Sequence, residues 1–214
     1  MKKLLIVLLL AIAGFNPLSA FRLPLHLFSS PSMIMDSTAQ LIISEVSDPA
    51  NTWQARFVEL YNPGTDSIDF DQDTWYLSKQ SNGGSTWGDI LLTGVIHAGK
   101  AYVVAYSESS FITTFGFNPD LSSGSINGNG DDGYFLFWGG NHNTGTLVDA
   151  YGEIDVDGTG EPWEYLDSKA TREYDAITPE TVWDSLNWTV HGGAETWQMT
   201  PSSHRVAVTW NGTI

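Results

Sequence analysis

The chain has 214 residues, no cysteine, and 25 acidic against 9 basic side chains, which give it a net charge of −16 at pH 7. Without cysteine there are no disulfides, thiol nucleophiles or cysteine zinc sites, so core burial or a metal must hold the fold together. The negative charge disfavours nucleic acid, which is bound through basic groups that neutralise phosphates, but it allows cationic partners and calcium.

Residues 1–20 have the pattern of a secretory signal peptide. Lys2 and Lys3 give a positive start, an apolar run follows, and the small residue Ala20 precedes the expected cut. The run is too short for a stable bilayer anchor and no second apolar segment follows, so we expect no transmembrane segment after signal cleavage. These features predict a secreted protein, extracellular or periplasmic, in which residues 21–38 form a spacer with prolines and serines.

Two strands are predicted first in chain order, over 41–46 and 56–61, with a turn-rich break between them. In the second, Val58 and Leu60 alternate with Glu59. This period of two places them on opposite faces of the strand. We therefore expect Val58 and Leu60 in the core and Glu59 outside it.

The middle of the chain continues this pattern of short strands and turns. Residues 107–115 predict one or two helical turns, capped by Ser107 or Ser109. Almost no other helix is indicated, and this spacing of strands and turns predicts an all-β sandwich or barrel. The further predicted strands are 74–79, 90–92, 101–106, 134–138 and 146–151.

The pattern loosens in a C-terminal extension that begins at about residue 152. The extension starts with a long acidic loop, 152–168, and continues with two short strands within 169–190. The predicted domain over 39–192 includes this extension. After it, 193–214 forms a C-terminal strand segment, with the strand itself over 204–210.

Several sequence motifs occur in order over residues 39–151. They are LIISE (41–45), RFVELYN (56–62), WYLS (75–78), LTGVIHAGK (92–100) running into YVV (102–104), and NGDDG (129–133). In these motifs the chain resembles the lamin tail domain family, and residues 152–192 are similar to an extension on its secreted bacterial members. The resemblance implies an immunoglobulin-like β-sandwich without a catalytic centre, found in secreted and surface proteins, often beside nuclease or other hydrolase domains. It also implies DNA and protein partners, as in nuclear lamins, although the negative charge of this chain disfavours DNA.

An acidic loop in the extension is a candidate calcium site. Glu153, Asp155, Asp157 and Glu161 lie close together in sequence, and Gly160 falls at the sixth position of an EF-hand-like start at Asp155. The twelfth position is a leucine, which cannot supply the bidentate carboxylate of that motif, although calcium accepts irregular oxygen cages. Calcium binding and a plain solvated loop therefore both stay open, and no other cofactor is expected.

Tryptophans are frequent in the chain, and three of them fall in predicted loops. Trp53, Trp87 and Trp163 are candidate ligand contacts, because exposed loop aromatics mark contact surfaces for sugars or proteins. Alternatively, they cap the ends of the sandwich. The tryptophans in predicted strands are expected in or over the core, and they are Trp75, Trp138 and Trp188.

No set of catalytic residues stands out in the sequence. The chain lacks a serine-hydrolase elbow, a His-x-x-x-His pair and a nucleophile beside a base, so we expect no enzyme activity. The stretch 94–101 nearly matches a phosphate-binding loop but has alanine where that motif needs serine or threonine. The sequence predicts a secreted, non-catalytic binding or structural module with a protein or polysaccharide partner and no nucleic-acid partner. The alternatives are a carbohydrate-binding module that uses the loop tryptophans, and an accessory domain of a secreted hydrolase or nuclease system.

Overall fold

The computed structural model describes residues 40–204, which contain twelve β-strands and one α-helix. The strands are β1 (Ile42–Ser47), β2 (Phe57–Tyr61), β3 (Ile68–Asp69), β4 (Trp75–Gln80), β5 (Trp87–Leu91), β6 (Val95–Ile96), β7 (Ala101–Ala105), β8 (Leu121–Ser122), β9 (Gly133–Trp138), β10 (Thr146–Tyr151), β11 (Lys169–Arg172) and β12 (Trp188–Val190). The helix is α1 (Glu108–Phe115), and short 3-10 helices lie at Trp53–Ala55, Ser185–Asn187 and Thr196–Gln198. The predicted signal peptide, the spacer and most of the predicted last strand lie outside the described residues.

The strands form two main sheets that pack face to face. One has six strands in the order β12-β11-β1-β2-β7-β8, the other has four in the order β10-β9-β4-β5, and β3 pairs with β6. Val58 and Leu60 from the first sheet share one buried cluster with Trp75 and Leu77 from the second. Side chains from two inner faces that meet in one core define a β-sandwich. The predicted all-β, immunoglobulin-like sandwich is confirmed.

Strand β2 is buried on both faces, and this overturns one prediction. Val58 and Leu60 have no exposed surface, as predicted, but Glu59 has none either, so placing it outside the core was wrong. The face that carries Glu59 is covered by α1 and by residues 194–204, and the Ser202 N–H donates to the Glu59 carboxylate at 2.5 Å. Alternation within a strand shows that its two faces differ, but it does not show that one of them meets water.

The helix α1 begins and ends where local chemistry sets its limits. Ser107 is the N-cap, as predicted, and accepts the N–H of Ser110 at 3.4 Å. Gly116 ends the helix with a φ of 82°, in the left-handed region that glycine adopts without strain. Phe111 packs edge-on against Phe57 of β2, with ring centroids 5.8 Å apart. The helix thereby covers part of the outer face of the six-stranded sheet.

The C-terminal extension is an integral part of the sandwich. β11 pairs with β1 and β12 pairs with β11, so the two strands predicted within 169–190 are confirmed and widen the six-stranded sheet. The preceding loop, 152–168, contains no strand, as predicted. Its Trp163 and Tyr165 are nevertheless buried in the main core, and the Tyr151 hydroxyl donates to the Trp163 carbonyl at 2.6 Å. The extension therefore completes the core rather than hanging from it.

Candidate functional site

A buried ion pair between Arg172 and Asp149 anchors the candidate site. Arg172 ends β11 and Asp149 lies in β10, and Nη1 and Oδ2 are 2.7 Å apart between side chains that are almost fully buried. The other guanidinium nitrogens donate to backbone carbonyls, Nε to Ala176 at 2.8 Å and Nη2 to Thr178 at 2.9 Å. Because a guanidinium offers several donors in one rigid plane, this single residue holds the segment after β11 in place.

Asp149 carries the other half of this network. Its carboxylate accepts the N–H groups of Ile43 at 2.8 Å and of Glu180 at 2.7 Å. Burial raises the pKa of Asp149 to about 6, although the charge of Arg172 opposes this shift. The Ala150 N–H donates to the Glu180 carbonyl at 2.9 Å. The backbone of Glu180 is therefore held beside β10 through both its N–H and its carbonyl.

Next to this anchor, the chain lines an open groove of about 790 Å³. Its lining includes three carboxylates, those of Glu153, Glu180 and Asp184, and no basic residue. Asn187 donates to the Glu180 carboxylate at 2.6 Å, and the Leu186 N–H donates to Asp184 at 2.9 Å, so hydrogen bonds orient two of the three. The lining residues are Glu153, Pro179, Glu180, Thr181, Val182, Trp183, Asp184 and Ser185.

The groove also offers apolar surface. Trp183 packs against the main core, and its indole Nε1 is buried with no hydrogen-bond partner among the described residues. Val182 is 72% exposed, and Leu186 in the adjoining 3-10 helix is 82% exposed. Carboxylates beside exposed apolar groups match lysine and arginine side chains, which combine an apolar stem with a cationic head.

The four carboxylates of the predicted calcium loop are not gathered around one point. Within residues 40–204, no group of three or more acidic or histidine side chains could hold a metal ion. Glu153 lines the groove, whereas Asp155 accepts a hydrogen bond from Gln80 Nε2 at 2.7 Å. Asp157 and Glu161 are exposed. The described structure thus offers no preformed calcium cage, and calcium binding stays a prediction for solution.

Trp163 is not an exposed loop aromatic, and its prediction as a ligand contact is wrong. Only 1% of its surface is exposed. A Cβ at Gly158 would come within 2.4 Å of its ring, and one at Gly152 within 3.1 Å, so both glycines make room for the indole. Tyr151 packs edge-on against it, with ring centroids 6.3 Å apart. The tryptophan is a core residue that the loop brings back into the sandwich.

The other two candidate tryptophans have different surroundings. Trp53 lies in a 3-10 helix, is 47% exposed, and contacts Tyr106 with ring centroids 5.1 Å apart. Trp87 lies in β5 rather than in a loop, is half-buried, and stacks on His142 with centroids 4.5 Å apart. His142 in turn lies 2.8 Å from a carboxylate oxygen of Asp89. Trp53 thus stays a candidate contact, whereas Trp87 is already covered on one ring face.

The groove was missed at the level of the sequence. The prediction for 169–190 contained two short strands and no site. One local signal was present, because Glu180 and Asp184 flank Trp183 shortly after Pro179. An aromatic residue between acidic residues after a proline is typical of an exposed, acidic connection, and it acquires meaning only once the segment is fixed beside β10.

The family comparison covers most of the sandwich and one groove residue, Glu153, but not the groove segment 179–185. Residues 35–161 match the family model described as Lamin Tail Domain, which is more than half of the chain. No curated protein matches the chain. The match includes β1 to β10 and ends before β11, so the groove residues 179–185 follow it in sequence. No helix in the described part of the chain is long and apolar enough to cross a membrane.

Proposed function

Because the chain belongs to the lamin tail domain family, whose members are immunoglobulin-like and non-catalytic, we propose that it is a binding module for a cationic protein segment. The groove lined by residues 179–185 is the binding site in this proposal. The partner segment supplies lysine or arginine side chains together with apolar ones. The module itself performs no catalysis on its partner.

The charge of the groove carries the proposal. Three carboxylates, from Glu153, Glu180 and Asp184, line one open cavity without a basic residue among its lining residues. The whole chain is also negatively charged, with a net charge of −16 at pH 7. Such a field draws cationic partners toward the groove and repels nucleic acid, whose binding needs several phosphates neutralised at once. The exposed Val182 and Leu186 add apolar contact beside the charges.

Secretion is the second part of the proposal. It is supported by the basic start, the apolar run and the small residue at the end of residues 1–20. The absence of cysteine means that the exported chain folds without disulfides. Its partner would then be met outside the cytoplasm, in the periplasm or outside the cell.

A peptide titration tests the binding site. Peptides that alternate lysine and leucine should bind in a salt-dependent way, followed by tryptophan fluorescence, and matched glutamate–leucine peptides and duplex DNA should not bind. Glu153→Gln with Asp184→Asn should weaken binding about tenfold. The matched control changes two exposed acids outside the groove, Asp66→Asn with Asp73→Asn, and keeps the same net charge. Equal weakening by both double variants would mean that overall charge, and not the groove, binds the peptide.

A second candidate function rests on Trp53. Its ring is 47% exposed, and the neighbouring Thr52 belongs to a cavity of about 230 Å³ whose lining is entirely hydroxyl-bearing. Hydroxyls beside an exposed aromatic ring are the groups that contact a neutral sugar. Binding on a glycan array that Trp53→Ala abolishes would support a carbohydrate-binding module. The lining residues are Thr52, Ser109, Ser110, Thr113 and Thr114.

A further inference from the structure

Three ionisable side chains are buried together on the outer face of the six-stranded sheet. Glu45 lies in β1, Glu59 in β2 and Lys169 in β11, and these strands are neighbours in the order β11-β1-β2. Glu45 and Glu59 stand directly opposite each other in the pairing of β1 with β2. None of the three residues is more than 5% exposed. This site is separate from the groove, and it does not depend on what the groove binds.

One acid of this cluster, Glu45, contacts the amine of Lys169, and the other, Glu59, lies opposite Glu45 in the strand pair. Lys169 Nζ lies 3.6 Å from Glu45 Oε1. Glu59 receives hydrogen bonds from two neutral groups, the Ser44 hydroxyl at 2.7 Å and the Ser202 N–H at 2.5 Å. Burial, reinforced by the neighbouring charge of Glu45, raises the pKa of Glu59 to about 8. At neutral pH Glu59 therefore keeps its proton, on the strand beside Glu45, whose carboxyl group contacts the amine of Lys169.

We propose that Lys169 and Glu45 condense into an intramolecular isopeptide bond, with Glu59 as the proton carrier. A proton passes from the Lys169 ammonium to the Glu45 carboxylate, and the free lone pair on Nζ attacks Glu45 Cδ. The N–C bond forms and one C–O bond of Glu45 breaks. Glu59 gives its proton to the departing oxygen, which leaves as water, and takes one back from the new amide nitrogen. Ammonium and carboxylate thus become amide and water, without an oxidant, a reductant or a second substrate.

Thr200 is placed to assist this step. Its N–H donates to Glu45 Oε1 at 3.1 Å and its hydroxyl bonds to Oε2, while Lys169 Nζ donates to Thr200 Oγ1 at 3.1 Å. Donors that already point at the carboxyl oxygens stabilise the oxyanion of a tetrahedral intermediate. Since the fold holds amine and acid side by side, the condensation has the advantage of an intramolecular reaction. An adjoining cavity of about 210 Å³, lined in part by Glu45, Glu59 and Thr200, can receive the released water.

The bond would link residues 45 and 169 of a chain that has no cysteine for a disulfide. A cross-link over so long a stretch restricts the unfolded chain and so favours the folded one. It would fasten the extension to the first strand of the sandwich, where β11 already pairs with β1.

A second buried pair in the same chain provides a matched control. Lys79 Nζ lies 3.5 Å from an Asp132 carboxylate oxygen and, like Lys169, also donates to a hydroxyl, that of Ser81 at 2.9 Å. The acid next to this pair in sequence, Asp131, is partly exposed and so is not an enclosed proton carrier. We therefore expect no condensation between Lys79 and Asp132.

Intact-mass spectrometry of the purified, folded full chain tests the proposal. The wild-type mass should fall short of the mass of its sequence by one water, about 18 Da. Lys169→Arg should show no loss, whereas the control Lys79→Arg should keep it. Glu45→Gln should release ammonia instead of water and reach the same product mass. Glu59→Gln, which fills the same space without an exchangeable acid proton, should contain less linked product at equal time after folding.

Peptide mapping separates the isopeptide bond from other losses of water. A cyclic imide at Asp157-Gly158 would also remove one water, but mild base opens an imide and leaves an amide intact. The expected result is one branched peptide that joins residues 45 and 169 and survives base. A folded wild-type chain of full sequence mass, or a loss that persists in Lys169→Arg, would overturn the proposal.

Discussion

Replacing Arg172 with methionine should destabilise the domain strongly at pH 7 and less at pH 5. Methionine keeps an apolar stem but removes the guanidinium that pairs with Asp149 at 2.7 Å. The carboxylate would remain buried with the N–H groups of Ile43 and Glu180 but without its cation. Removing one partner of a buried ion pair costs about 3–5 kcal/mol, so we expect about 4 kcal/mol at pH 7.

The pH dependence follows from the pKa of Asp149. Burial already raises it to about 6 in the presence of Arg172. A raised pKa in the folded state means that stability is lost as the pH rises from the ordinary value of 3.8 through 6. Without the guanidinium the pKa rises further, so the variant keeps losing stability up to a higher pH than the wild type does. Near pH 5 Asp149 is mostly neutral in both the wild type and Arg172→Met. The loss of unfolding free energy caused by the substitution should therefore be about 1–2 kcal/mol smaller at pH 5 than at pH 7.

Urea unfolding, followed by tryptophan fluorescence, measures the destabilisation caused by Arg172→Met at pH 5 and at pH 7. Lys100→Met removes an exposed base and should stay within about 0.5 kcal/mol of the wild type. Asp149→Asn combined with Arg172→Met removes the unpaired charge and should recover part of the loss at pH 7. A cost of Arg172→Met below about 1 kcal/mol at pH 7, or an equal cost at both pH values, would refute the assignment of Arg172 as the counter-charge of Asp149.

Three further changes test the core, the buried acid and the calcium loop. Leu60→Ala should lower the free energy of unfolding by about 2–5 kcal/mol in denaturant melts, because it opens a cavity in the main core. Burial raises the pKa of Glu59 from 4.5 to about 8, so the free energy of unfolding of the wild type should fall over that pH range by up to about 5 kcal/mol. The plot of unfolding free energy against pH should be flatter for Glu59→Gln. Parallel plots for the two proteins would contradict this. If the acidic loop binds calcium, the melting temperature should be higher in millimolar calcium than in EDTA. This rise should be lost in the double variant Asp155→Asn with Asp157→Asn. Identical melting curves of the wild type in calcium and in EDTA would identify a solvated loop.

The features that could be predicted from the sequence are those encoded within a few residues. Ser107 caps α1 because its own hydroxyl reaches the N–H of Ser110, three positions away. Strands β9 and β10 were predicted because both are rich in β-branched and aromatic residues, and they pair with each other across a glycine-rich turn. Val58 and Leu60 lie in the core because the strand period is two and one of its faces meets the opposite sheet.

The failures have a common physical cause, which is contact between segments far apart in sequence. Glu59 was placed outside the core because it alternates with Val58 and Leu60, and the face opposite theirs was expected to lie outside the core. It is buried because Ser202, 143 positions later, donates to it. Trp163 was placed on the surface because its neighbours are acidic and glycine-rich, whereas Gly158 in fact leaves the space that the indole fills.

The groove could not be predicted for a related reason. Its shape depends on Arg172, whose partner Asp149 lies 23 positions earlier and looks like one more solvated acid in a very acidic chain. Only the assembled sheet shows that this acid is buried. Once it is, the backbone of Glu180 has a fixed place, and Glu180 and Asp184 line a cavity together with Glu153 instead of forming a free loop.

Most residues of the groove follow the part of the chain that the family describes, but they are coupled to it. The matched residues, 35–161, supply β1 and β10. The extension then adds β11, and its Arg172 bonds back to the Ile43 carbonyl at 3.3 Å and to Asp149, both within the match. The sandwich therefore sets the position of the groove, while the extension sets its chemistry. Since that chemistry is acidic, and DNA recognition requires a basic surface, we expect no DNA binding at this groove. The partner of this chain should follow from the residues that it adds to the family sandwich.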